Sequence, residues 1–306
     1  MPLVGFGLWK VPNETCADTV YRAIQYGYRL FDCACDYGNE KEAGDGVRRA
    51  IADGLVKRED LWITTKIWNT FHAPAHVHEA ARMQLQHWGL EYFDLLLVHF
   101  PIALQYVDPK HRYPPAWWDD NKQLLPMEKT PMQATWKAYE ELVDQGLVKN
   151  IGISNCSGSI INDMMTYARY EPQVLQVEMH PYLNQEALVQ MAKSLGMAMT
   201  GYSSFGPQGY IELQMDKGVG SLFKNDVIVG IAKKHGKTPA QVLLRWSTQR
   251  GIAVLPKATD SALLKENFAS TSFNLDEVDL KKIGSLNRNI RFNDPADFSP
   301  KMSIFA

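Results

Sequence analysis

Long apolar runs are missing from this sequence; none approaches the roughly 18 residues that a membrane-spanning helix requires. Cysteine is scarce as well. The four present, Cys16, Cys33, Cys35 and Cys156, form no CxxC pair and no ligand spacing, which argues against a disulfide scaffold and against a zinc site. Reduced thiols in a cytoplasmic protein are the simpler reading. Charge of one sign is not in excess: 32 Lys and Arg stand against 34 Asp and Glu, a formal net charge of −2 spread along the chain. That balance gives no electrostatic case for a nucleic acid or an anionic membrane as partner. Repeats, low-complexity tracts and linkers are absent too, and the opening residues Met1–Gly7 are too short and uncharged to read as a secretory signal.

What is present is alternation. Short apolar segments at Leu3–Gly7, Arg29–Ala34, Trp62–Lys66, Asp94–His99, Asn150–Ser154, Val174–Glu178, Ala198–Tyr202 and Ile252–Pro256 are separated by amphipathic stretches. Trp136, Tyr139, Leu142 and Val143 recur at helical spacing before a Gly146 stop. Thr238-Pro239 reads as a helix start, with threonine at the cap and proline where its missing N–H costs nothing. Strands apolar on both faces and alternating with helices imply a parallel sheet covered by helices, and about eight of them close a (β/α)₈ TIM barrel. An open doubly wound sheet would carry GxGxxG after its first strand; none occurs. Gly5-Phe6-Gly7 and Gly218-Val219-Gly220 lack the third glycine and are read as turns. The expectation is one barrel domain over residues 1–306, its long connections Pro101–Pro131, Phe205–Asn225 and the tail after Leu286 overhanging the C-terminal mouth.

Asp32, Lys66 and His99 each end or nearly end an expected strand, and Tyr37 lies just beyond the second. Reducing a carbonyl needs hydride at carbon and a proton for the oxygen. A tyrosine near its ordinary pKa of about 10 is a reluctant acid, so Lys66 is expected to lower it and Asp32 to hold Lys66 charged. His99 would orient the carbonyl oxygen. Taken singly, a strand-end Asp or Lys is more often a cap or a salt bridge, and a histidine beside Phe100-Pro101 more often packing; the four types together carry the reading.

Gly27-Tyr28-Arg29-Leu30-Phe31-Asp32-Cys33-Ala34 with Tyr37-Gly38-Asn39-Glu40, then Gly152-Ile153-Ser154-Asn155 and Leu255-Pro256-Lys257, resemble the signature of the aldo-keto reductases almost end to end. Gly7-Leu8-Trp9-Lys10, His99-Phe100-Pro101-Ile102-Ala103 and Arg291-Phe292-Asn293-Asp294-Pro295 resemble the fungal xylose (aldose) reductases within that superfamily, with a shortened first hairpin. The resemblance implies Tyr37 as general acid, with Asp32, Lys66 and His99 as above. It also implies Ser154, Asn155 and Gln176 on a nicotinamide carboxamide and Tyr202 stacked on its ring. Ser203, Ser204 and Phe205 would belong to a belt over the pyrophosphate, and Trp9, Phe100 and Asn293 would line the substrate pocket. Lys257, Glu266 and Asn267 would meet the adenosine end, and Glu212 the ribose hydroxyls.

The family's Ser and Arg for a 2′-phosphate are replaced by Ala258 and Leu263, with Asp260 nearby. Weakened preference for NADPH and use of NADH follow, since each charge-assisted hydrogen bond lost is worth about 1.5–3 kcal/mol. The expected reaction is NAD(P)H-dependent reduction of an aldose such as D-xylose or L-arabinose to its polyol, without a metal, in a cytoplasmic monomer or homodimer. Two alternatives stand beside it. One is the same machinery acting on a uronic acid such as D-galacturonate, drawn by the basic run Lys110-His111-Arg112, or on another aldehyde or ketone. The other is a cofactor-binding regulatory or structural protein.

Overall fold

The computed structural model describes residues Met1–Ala306, and its centre is a closed ring of eight parallel strands. They are β1 (Phe6–Gly7), β2 (Leu30–Asp32), β3 (Trp62–Ile67), β4 (Leu95–Val98), β5 (Ile151–Ser154), β6 (Val174–Glu178), β7 (Ala198–Tyr202) and β8 (Ile252–Val254). Each pairs with the next in chain order. The ring closes where Gly5 N–H donates to Val254 O at 2.8 Å and Val254 N–H to Leu3 O at 2.9 Å. A (β/α)₈ barrel is therefore the fold. Leu3–Gly7, counted among the strands although its Gly5-Phe6-Gly7 was also read as a turn, supplies the first strand at Phe6–Gly7, with Phe6 opposite Phe31 and Gly7 opposite Asp32. Two residues of ladder are too short to show a hydrophobic pattern. Elsewhere β6 and β7 match the expected segments, β2, β4, β5 and β8 are one or two residues shorter at one or both ends, and β3 gains Ile67.

Ten helices surround the ring: α1 (Asn13–Gln25), α2 (Glu40–Ala52), α3 (Pro74–Trp88), α4 (Met132–Asp144), α5 (Gly158–Met164), α6 (Glu186–Ser194), α7 (Asp226–His235), α8 (Pro239–Gln249), α9 (Ser261–Phe268) and α10 (Glu277–Gly284). None is long and apolar enough to cross a membrane. Their limits follow local chemistry. Helix α8 starts with a reciprocal capping box between Thr238 and Gln241, and α4 turns Trp136, Tyr139 and Leu142 inward, with Gly146 just beyond it at φ +71°. Because helices cover the ring, Leu95-Leu96-Leu97-Val98 is buried along its whole length.

The functional end is the rim where the strands finish, and the chain returns there through long connections. Residues 101–131 form an arm whose base is laddered by Gln105 N–H to Pro126 O at 2.8 Å and Glu128 N–H to Ala103 O at 2.9 Å. Close contact also joins neighbouring helices of the outer layer. A Cβ at Gly44 of α2 would fall 2.4 Å from Trp88 O and 2.6 Å from Trp88 Cα, so the two helix backbones touch. Gly44→Ala should lower the unfolding free energy by about 1–3 kcal/mol. A urea midpoint unchanged from wild type would show that the contact relaxes without cost.

Candidate active site

A cleft of about 600 Å³ opens at the C-terminal rim, lined from β1, β2, β5, β6, β7 and the connections above the strands. Its floor is set by Lys66, which is 1% exposed. The ammonium donates to Asp32 Oδ1 at 2.5 Å, to Cys33 O at 2.8 Å and to Tyr37 Oη at 3.2 Å. All three of its protons are thereby used. The second carboxylate oxygen of Asp32 accepts from Gln176 Nε2 at 2.7 Å. Since Tyr37 Oη accepts from Lys66, the phenol's own hydrogen is left for the cleft, which Tyr37 lines.

The structure corrects one expectation here. The Tyr37 pKa does not fall below the ordinary phenol value beside Lys66; burial first, then the carboxylates of Asp32 and Asp36, hold it well above that value. Asp32, 2.5 Å from the ammonium, offsets part of the field that Lys66 exerts on the phenol. Tyr37 is thus a protonated donor in this pocket.

His99 sits across from Tyr37, its ring centroid 6.0 Å from the phenol ring and 5.1 Å from both Trp68 and Phe100. Asp36, which the sequence reading passed over, reaches within 3.0 Å of His99 Nδ1. The two atoms are out of line for a hydrogen bond, and both are buried without another partner. Asp36 also lines the cleft, with its Oδ1 turned to His99 and closed to solvent. Its position one residue before Tyr37 was the available signal. Trp68 and Trp117 also line the cleft and were not anticipated.

On the far wall, Ser154, Asn155, Gln176, Tyr202, Ser203, Ser204, Phe205, Glu212 and Lys257 all line the same cleft, as expected, and so do Trp9, Phe100 and Asn293. Their polar groups form a chain. Asn293 Nδ2 donates to Tyr202 Oη at 3.3 Å, Tyr202 Oη to Asn155 Oδ1 at 2.6 Å, and Asn155 Nδ2 to His99 O at 2.9 Å. Asn155 and Ser203 hold positive φ angles of 58° and 55°, backbone strain of the kind found at working sites. Asn293 is placed by Glu178 at the end of β6, a fully buried carboxylate that accepts the N–H groups of Phe292 and Asn293, each at 2.8 Å.

Glu266 and Asn267 are not brought to the cleft lining. Glu266 Oε1 accepts from Thr238 Oγ1 at 2.7 Å, and Asn267 is buried in α9. Lys110-His111-Arg112 does not aim into the cleft either: His111 and Arg112 each lie 3.2 Å from Asp120 on the same loop.

A dinucleotide fits this arrangement. Amide and hydroxyl groups of Ser154, Asn155 and Gln176 stand beside the aromatic face of Tyr202, and the belt 203–209 and exposed Lys257 continue the wall outward. Lys10, at φ 62°, crosses the opening: its Nζ lies 2.5 Å from Glu212 Oε1 and donates to Gly209 O at 2.5 Å. The lysine holds the Glu212 carboxyl below its ordinary pKa. Glu212, expected on a ribose, thus also anchors a strap over the cleft.

Comparison with known proteins agrees with the geometry. Residues 3–288 match the aldo/keto reductase family. A probable NAD(P)H-dependent D-xylose reductase of Neosartorya fischeri is 57% identical over 297 residues, 96% of this chain and 92% of that protein. NAD(P)H-dependent D-xylose reductases of Hypocrea jecorina and Aspergillus niger are 56% and 54% identical, covering 97% and 100% of this chain and 93% and 96% of theirs.

Lys10→Met should speed release of a bound dinucleotide by about an order of magnitude, because removing the charged strap leaves one barrier fewer to opening. Stopped-flow fluorescence reads that rate. An unchanged rate would mean that the strap forms only in the empty cleft.

Proposed function

The chain belongs to the aldo/keto reductase family, and from that membership we propose that it reduces an open-chain aldose, D-xylose or L-arabinose, to the polyol with NADH or NADPH. The observation that carries the reading is the Lys66 ammonium spent on Asp32, Cys33 O and Tyr37 Oη, which leaves the phenol proton aimed at the cleft. The nicotinamide, when bound, supplies hydride to the carbonyl carbon. Tyr37 then gives its proton to the carbonyl oxygen, while His99 holds that oxygen in line. Lys66, made immobile by Asp32, stabilises the phenolate that the transfer leaves behind. Ser154, Asn155 and Gln176 would hold the carboxamide, Tyr202 the ring face, and Lys257 the adenosine phosphate end.

A neutral sugar suits the substrate half better than a uronate. Trp9, Phe100 and Trp117 offer apolar faces, Asn293 offers its amide to a hydroxyl, and the Asp36 carboxylate would repel a second carboxylate. The cations lining the cleft are Lys10 and Lys257, and Lys10 is paired with Glu212. A single barrel domain over residues 1–306, working in the cytoplasm as a monomer or homodimer, belongs to the same proposal.

At the adenosine end, Ala258 is buried and Leu263 is 50% exposed, while Asp260 spends Oδ1 on the N–H groups of Ala262 and Leu263 at 2.8 and 3.2 Å. The start of α9 is thus capped by a carboxylate that opposes a 2′-phosphate. Installing the charge should reverse this: Leu263→Arg with Asp260→Asn should tighten NADPH relative to NADH by about 10–100-fold, the equivalent of one charge-assisted hydrogen bond. Titration of cofactor fluorescence measures it, and equal affinities before and after would remove the assignment.

The direct test is steady-state reduction of D-xylose, L-arabinose and D-galacturonate with each cofactor. Pentose turnover should exceed galacturonate turnover, with NADPH favoured over NADH by less than about a hundredfold. Tyr37→Phe should cut kcat by about 10²–10⁴ without changing cofactor affinity. Tight cofactor binding with no turnover of any sugar would sink the reading in favour of a cofactor-sensing role.

A further inference from the structure

Behind the reacting groups lies a second buried carboxylate that the chemistry above does not use. Glu40, 2% exposed, is the first residue of α2 and sits three positions beyond Tyr37. Its Oε1 accepts from Gln84 Nε2 at 2.9 Å and lies 3.4 Å from Thr65 Oγ1; its Oε2 lies 3.3 Å from His87 Nδ1 and accepts a short hydrogen bond from Tyr113 Oη. Burying a carboxylate is costly unless it is well hydrogen-bonded, and the N-terminus of a helix adds favourable potential. Three of the four partners belong to β3 and α3 and are present whatever the mouth does. The fourth, Tyr113, comes from the arm 101–131, 73 residues away in sequence.

What Tyr113 brings with it matters for the site. Pro114 rests on Gly38, where an added Cβ would come 3.0 Å from Pro114 Cγ, so the arm bears on the residue that follows Tyr37. Ala116 O accepts from Trp68 Nε1 at 3.3 Å. Trp117 then packs its ring 4.9 Å from Trp68 and 5.1 Å from Phe100, centroid to centroid, and lines the cleft. The Tyr113 ring also stands edge-on to His87, with centroids 5.0 Å apart. A hydrogen bond to a charged acceptor is stronger than a neutral one, and this one ties the arm to the barrel immediately before the segment that forms a wall of the cleft.

We propose that Glu40 and Tyr113 form a latch that fixes the mouth arm and thereby sets the Trp117 wall against which substrate is held. Glu40 acts as a positioning residue through Tyr113; neither touches the reacting atoms. The latch stands on the geometry, and only the kinetic arm of its test rests on the aldose-reductase reading.

Two measurements on Tyr113→Phe decide it. The variant keeps the ring and loses the hydroxyl. Trypsin reports on the arm directly, because the Arg112–Tyr113 bond lies beside the latch. Cleavage there should become about tenfold faster if the latch opens more often. In steady state, KM for D-xylose should rise about fivefold or more with kcat within about twofold and NADH affinity unchanged, the pattern of lost ground-state positioning. Glu40→Gln, which retains an acceptor oxygen for the tyrosine, should fall between wild type and Tyr113→Phe in both readouts. Should Tyr113→Phe fail to fold, Glu40→Gln alone carries the test, with both readouts displaced in the same direction. Unchanged cleavage and unchanged KM would overturn the latch, and so would a joint fall in kcat and cofactor affinity, which marks general structural damage. If wild type turns over no pentose, the functional reading fails, and the cleavage rates alone still decide the latch.

Discussion

Everything at the rim depends on one buried ammonium. Lys66 is 1% exposed, and a charge removed from water is tolerated only with excellent partners. Here they are Asp32, a backbone carbonyl and a phenol oxygen. Asp32 in turn needs Gln176 for its second oxygen. The ion pair therefore ties β2, β3 and β6 together and dictates the direction of the one hydrogen left over, that of Tyr37. Breaking a buried pair by removing one partner typically costs about 3–5 kcal/mol, so the same interaction that orients the acid also locks the strands that carry it. A proton donor that must stay protonated until a carbonyl arrives is well served by an environment that raises its pKa and by a neighbour that steadies the anion afterwards.

The rim above the pair is held by side chains that bind backbone. Asn39 Nδ2 donates to Leu8 O at 2.9 Å and Val11 O at 3.0 Å, fixing the turn that presents Trp9 and Lys10. Glu178 takes the N–H groups of Phe292 and Asn293, fixing the tail. Buried polar groups of this kind gain little net stability but leave few alternative conformations, because each unmade bond carries a desolvation penalty. Loops that would otherwise be mobile thus share the rigidity of the barrel, which is what holding a reacting atom within tenths of an ångström requires.

The fold, and the meeting of Asp32, Tyr37, Lys66 and His99 at one rim, were legible in the sequence because both depend on short-range pattern. Apolar runs of strand length mark the ring, and Asp32, Lys66 and His99 fall at strand ends, where a barrel gathers side chains. The first strand was half legible: Leu3–Gly7 was counted among the strands, yet two residues of ladder looked like a glycine turn. Contacts across long sequence separations were not legible. Lys10 meets Gly209 over 199 positions and Tyr113 meets Glu40 over 73, and no local signal announces either. The direction of the Tyr37 shift was misjudged for a related reason. Sequence supplies the charges but not the burial that dominates the shift, nor the distance at which Asp32 offsets Lys66.

The cleft divides its electrostatics along its length. The inner half presents carboxylate and aromatic surface through Asp36, Trp68, Phe100 and Trp117; the outer half presents the cations Lys10 and Lys257 beside the belt. A phosphate-bearing ligand is thereby drawn to the outer half and opposed at the inner one, while a neutral polyol chain suffers neither effect. Lys10 sharpens the division, since its bond to Glu212 spans the opening between the halves. On the proposed reading, Ala258 and Leu263 would remove attraction for a 2′-phosphate alone and leave Lys257 to act on phosphates common to either cofactor. Cofactor choice and sugar choice would then be separable, because Ala258 and Leu263 lie outside the cleft lining that holds Asn293, which is tied to Asn155 through Tyr202.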